Sequence, residues 1–95
     1  MYVLTSTLTI SAAEEFAYDL QALKRAVVVG EVTAGAAHMT ASGQIAPHLM
    51  IAVPIARPIN PVTKTDWEGV GVIPDVRVAA SDALATALRL AREKK

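Results

Sequence analysis

The apolar positions change rhythm along this chain, and each change predicts an element boundary. Residues 2–5 (Tyr-Val-Leu-Thr) predict a short buried strand, and the Ser/Thr-rich stretch 5–9 predicts the loop that leaves it. From Ser11 the spacing becomes helical. Phe16, Leu20 and Leu23 recur at i, i+4 and i+7 with Ala13 and Ala17 beside them, predicting a helix over 11–24 with that stripe turned to the core. Glu14 and Glu15 in the first turn, and Lys24 and Arg25 at the end, complement the helix dipole. Residues 26–29 form a Val-rich run closed by Gly30, the pattern of a parallel strand covered on both faces. Strand, helix and strand in this order predict one right-handed βαβ unit.

Beyond Gly30 the pattern loosens. Thr33-Ala34-Gly35-Ala36-Ala37-His38 is rich in small residues and predicts a loop whose backbone approaches something closely. Residues 39–62 predict meandering β-structure: Ser42-Gly43 and Pro47 mark turns, 48–53 a strand, and Arg57-Pro58 and Asn60-Pro61 punctuate the remainder. Residues 63–68 read as a polar loop. Residues 69–75 read as a short extended apolar piece, with Asp75 a turn residue bonding local N–H groups. Ser81 is the expected cap of a last helix, with Leu84, Ala87, Leu88 and Ala91 as its buried stripe and 92–95 as its charged end. No internal repeat or low-complexity tract interrupts this order. The fold class is α/β: one unit with a β-rich insertion, expected to form a single domain over residues 1–95.

Composition narrows the function. With 95 residues, 53% hydrophobic and 19% charged, a packed core is expected and disorder is not. The formal net charge of zero leaves no basic stripe for nucleic acid. The apolar stretch 45–55 is broken by Pro47 and Pro54, so no membrane span is expected. A basic signal-peptide n-region is also lacking, and localisation stays open. Without cysteine there is no disulfide framework and no thiol nucleophile. The segments are apolar on more faces than a lone small domain covers, which predicts a homo-oligomer or a missing N-terminal segment.

Candidate chemistry centres on Thr9-Ile10-Ser11-Ala12-Ala13-Glu14. A serine at a strand-to-helix turn can present its hydroxyl at the positive helix end, beside N–H groups able to hold an oxyanion. The same serine with Glu14 three residues on also reads as a capping box. Gly30 and Gly35 fit neither nucleotide-binding glycine pattern. His38 and His48 fit no metal-ligand spacing, so neither metal nor other cofactor is expected. Trp67 is either a recognition aromatic or a lid over the sheet end. Glu68, before Gly69-Val70-Gly71, is either a carboxylate held against the sheet end or a solvated one.

Three stretches in order resemble the C-terminal half of the S41 serine peptidase domain, and together they cover nearly the whole chain. They are Thr9-Ile10-Ser11-Ala12-Ala13-Glu14, Gly30-Glu31-Val32-Thr33-Ala34-Gly35 and Trp67-Glu68-Gly69-Val70-Gly71-Val72-Ile73-Pro74-Asp75. This family includes the tail-specific proteases, the tricorn core and interphotoreceptor retinoid-binding protein. The resemblance implies a partial ClpP/crotonase-like spiral and a polypeptide substrate. It also implies Ser11 as nucleophile, Ala12 as an oxyanion donor, Glu68 as the orienting acid, and Gly35 and Ala36 against the substrate.

One departure matters. Tail-specific proteases place their lysine base in a Gly-Lys-Gly context, which reads Gly35-Ala36-Ala37 here. Lys24 sits at the far helix end and cannot reach a hydroxyl that needs its base within about 3 Å. The tricorn-like alternative combines Glu68 with a His and a second Ser from an earlier segment, His38 being a conceivable local substitute. The isolated chain is therefore expected to lack meaningful peptidase activity, because a serine without a base is a weak nucleophile. A non-catalytic module binding an apolar ligand or peptide is the other reading.

Overall fold

The computed structural model describes residues 1–37 and 39–94, with the backbone alone for 39–42, 45 and 52–56. His38, the conceivable local base, and Lys95 lie outside the described residues. The elements are β1 (Tyr2–Thr5), α1 (Ala12–Ala22), β2 (Val27–Gly30), β3 (Met39–Ala46), β4 (Leu49–Ala56), β5 (Val76–Arg77) and α2 (Ala80–Glu93). β1, β2 and β5 form a three-stranded parallel sheet in that order. Tyr2 pairs with Val27 and Thr5 with Gly30, while Val29 pairs with Val76. The predicted βαβ unit is present, and the β-rich insertion is one antiparallel hairpin, β3–β4. Its two strands pack on each other. The molecule is elongated, 58 × 30 × 16 Å.

Successive residues of β2 point to opposite faces, which explains its unbroken valine run. Val28 faces α1 and packs with Ala17, Ala37, Trp67 and Val72, flanked by Val3 and Tyr18. Val29 faces α2 and packs with Ala83 and Ala87, flanked by Tyr2, Val27, Val76, Val78 and Leu90. Gly30 (φ 141°) lies against the Thr5 carbonyl, where a side chain would collide. Gly71 (φ 78°) is pressed in the same way against the Thr33 carbonyl.

Both predicted helix stripes hold in part: Ala17 and Ala87 are buried as expected, and the larger apolar positions are displaced. In α1, Glu14 and Ala17 are buried while Phe16 and Leu23 stay 57% and 56% exposed. In α2, Ala83 and Ala87 are buried while Leu84 and Leu88 stay 59% and 47% exposed, and Ala91 is exposed. Each helix thus meets the sheet through alanine, and its larger apolar side chains point elsewhere. α2 begins one residue before Ser81, with Ala79 at the N-cap and no side-chain cap. α1 stops short of its predicted end in a Schellman turn: Leu23 caps it, Lys24 takes φ 56°, and the Arg25 N–H donates to the Leu20 carbonyl at 2.8 Å. Residues 69–75 are turn and coil rather than extended strand. Asp75 does not bond locally: its carboxylate accepts from the Val28 N–H at 2.7 Å, on the central strand. Among the described residues no helix is long and apolar enough to cross a membrane.

Candidate active site

The loop from β1 to α1 is built by its hydroxyls. Thr9 Oγ1 accepts from the Ser6 N–H at 3.0 Å, and Ser6 Oγ accepts from the Leu8 N–H at 3.1 Å. The loop delivers Ser11 to the N-cap of α1 with φ 56° and ψ −120°. An ordinary N-cap adopts the β-region, so capping alone does not require this backbone. A non-glycine residue held in such a conformation costs on the order of 1–3 kcal/mol. Sharp strand-to-helix turns of this kind carry the nucleophile in serine hydrolases. Both arms of a capping box are in place, the serine oxygen facing the Glu14 N–H and the Glu14 carboxylate accepting from the Ser11 N–H at 2.8 Å. Only the second meets ordinary hydrogen-bond geometry. Ser11 is exposed, and among the described residues the neighbouring Ala12 N–H has no acceptor.

Glu14 is the residue whose importance the sequence concealed. It is fully buried, and its Oε1 accepts from the Thr33 hydroxyl and the Gly35 N–H, both at 2.6 Å. Its Oε2 accepts from the Ala36 N–H at 2.9 Å in addition to Ser11. Burial pushes this carboxyl up, yet the donors from Thr33, Ala36, Gly35 and Ser11 outweigh it and hold the pKa below the ordinary value. Thr33 continues the network, its Oγ1 accepting from the Val72 N–H at 2.7 Å. The Gly35 carbonyl accepts from Gly69 N–H at 2.9 Å, and the Ala36 carbonyl from Trp67 Nε1–H at 3.1 Å. Gly35 and Ala36 therefore commit both their N–H and C=O groups within the chain.

A cleft of about 340 Å³ opens beside Ser11, lined also by Ala12, Glu15, Ala37, Arg57, Pro58 and Trp67. Trp67 is 3% exposed and packs on Tyr18 at 5.3 Å between ring centroids, so it serves chiefly as core with an edge on the cleft. Arg57 separates this cleft from a second of about 530 Å³, which Glu68, Tyr18 and Val70 line with others. Its guanidinium donates to Asp66 Oδ2 at 3.0 Å and to Thr65 Oγ1 at 3.2 Å. Glu68 is half-buried, and its Oε2 accepts from the Ala37 N–H at 3.0 Å. The structure thus puts Ser11 and Ala12 on one cleft and joins Gly35 and Ala36 to them through Glu14. Glu68 lies along the neighbouring cleft, one residue from the Ser11 lining through Ala37. Among the described residues no group of three or more His, Cys, Asp and Glu could hold a metal ion.

A strained serine at a helix start beside a cleft is a feature of serine hydrolases. The sequence profile of Peptidase family S41 matches residues 1–78, and the chain belongs to that family. Among solved structures it is similar to the photosystem II D1 C-terminal processing protease, with 32% identity and a TM-score of 0.68 over 83% of this chain and 20% of that one. It also shares its fold with mature CPAF, at 24% identity and a TM-score of 0.72 over 86% of this chain and 16% of that one. CPAF complexed with lactacystin matches at 22% identity and a TM-score of 0.73, over 98% of this chain and 19% of that one. The chain spans about a fifth of the length of these proteases.

Proposed function

We propose that this chain is the nucleophile-bearing part of a serine-type S41 peptidase. The observation that carries this reading is Ser11: exposed, strained, at the N-terminus of α1 and open to a cleft. Its Oγ would attack the carbonyl carbon of a peptide bond, with the Ala12 N–H facing the developing oxyanion. The base takes the Ser11 hydroxyl proton and passes it to the amine as the C–N bond breaks, and water then hydrolyses the acyl-enzyme ester. The substrate is a polypeptide, and likeness to the D1 C-terminal processing protease points to tail processing. Glu68 orients the base, and Gly35 and Ala36, which line neither cleft, act on the site through Glu14.

The described lining of the Ser11 cleft holds no lysine or histidine, and His38, the local candidate for the base, lies outside the described residues. We read residues 1–95 as a single unit and its sheet as part of a ClpP/crotonase-like spiral. The uncovered Phe16, Leu23, Leu84 and Leu88 are contact surface, and self-association into a homo-oligomer follows; light scattering giving a monomer mass contradicts that. The test of the nucleophile is a peptide aldehyde carrying carbon-13 at its carbonyl. A hemiacetal resonance in the wild type, absent in Ser11→Ala, supports the reading. Binding without a hemiacetal supports the non-catalytic module.

A further inference from the structure

We propose that Glu14 is the positioning residue of this site, a buried charge that locks the nucleophile turn to the loop at 33–36. The inference rests on Ser11 being the nucleophile. A glutamate at the third position of a capping box ordinarily serves the N-cap N–H at the helix surface. Glu14 does that and more. It is fully buried, and three of its four donors come from residues 19, 21 and 22 positions further along the chain. Hydrogen bonds to an ionised acceptor are stronger than neutral ones, and a carboxylate in a dry site must have them.

The consequences run in both directions from the carboxylate. Toward α1, Glu14 takes up the Ser11 N–H and holds a backbone that no local preference supports. It also leaves the Ala12 N–H as the free donor beside the Ser11 oxygen. Toward the loop, it fixes Thr33, Gly35 and Ala36, which tie in turn to Val72, Gly69 and Trp67. Residue 37, next along, holds Glu68. One carboxylate thereby sets where Ser11 stands relative to the segment carrying Glu68.

The test uses the full chain, a fluorophosphonate probe and amide hydrogen exchange. Glu14→Gln keeps the size and removes the charge. Labelling of Ser11 should slow about tenfold or more, and exchange at Ser11, Gly35 and Ala36 should quicken about tenfold beyond any change at Val28 and Val29. Glu14→Asp, which retains the charge, should recover part of the labelling. Thr33→Val, which removes one donor, should slow labelling severalfold and decides the matter if Glu14→Gln does not fold. Labelling and exchange within twofold of wild type in Glu14→Gln, or labelling unchanged in Thr33→Val, overturns the proposal. So does a loss of labelling matched by equal loss of protection at Val28 and Val29, which marks a merely structural role. If wild-type Ser11 takes no label, the nucleophile assignment falls and the positioning role with it. The exchange pattern then reports whether the clasp exists on its own.

Discussion

Toward α2 the sheet presents Val29 to Ala83 and Ala87, and among the described residues α2 makes its one side-chain hydrogen bond within itself, from Arg89 to Glu93. Toward α1 it meets a buried carboxylate, a threonine shared between two segments and an indole N–H held by a loop carbonyl. The first face is joined by burial, which is non-directional and tolerant of small shifts. The second has its own apolar core of Ala17, Val28, Ala37, Trp67 and Val72, adds hydrogen bonds that specify position, and carries the strained serine. Both sides of the three-stranded sheet are thus stabilised by apolar burial, and the α1 side adds a hydrogen-bond network that fixes position.

The largest effect should come from the polar face. Glu14→Ala leaves four donors without their acceptor, and stability measured by urea unfolding should fall by about 3–5 kcal/mol. The pH dependence follows from the lowered pKa of this group. Its stabilisation is present above the unfolded carboxyl's pKa of about 4.3 and is lost as pH falls through the lower folded value. Glu14→Gln should therefore show a shallower loss of stability below about pH 4 than the wild type. Val29→Ala, on the apolar face, should cost about 2 kcal/mol while leaving the labelling rate of the folded fraction unchanged. A change in that rate would break the division between the faces.

Two substitutions should stabilise. Ser11→Gly relieves the positive φ and should raise stability by about 1 kcal/mol while removing the proposed nucleophile. Lys24→Gly places glycine at the left-handed end of α1 and should add about 0.5 kcal/mol without touching the site. Thermal unfolding resolves both.

The βαβ unit was legible because β2 is valine on both faces and α1 has a helical rhythm. The helix stripes were legible only at Ala17 and Ala87, because periodicity shows which residues share a side and says nothing of how closely a helix lies on its sheet. Ala17, Ala83 and Ala87 make the close contacts, and Phe16 and Leu84 are left outside. β5 is two residues long, too short to show any period, and Asp75 reaches a strand that only the tertiary fold brings near. For Ser11 the capping and nucleophile readings are compatible: Glu14 closes its arm of the box while the hydroxyl remains exposed. The wider role of Glu14 depends on Thr33, Gly35 and Ala36 folding back onto it, which no local spacing announces.

The most direct measurement is competitive modification of the serines in one sample of the wild-type chain. After fluorophosphonate treatment, peptide mass mapping should find Ser11 modified at least about tenfold faster than Ser6 and Ser81, since of these three Ser11 alone combines the N-cap of a helix with a neighbouring N–H that has no acceptor among the described residues. Equal rates at the three serines would contradict the account.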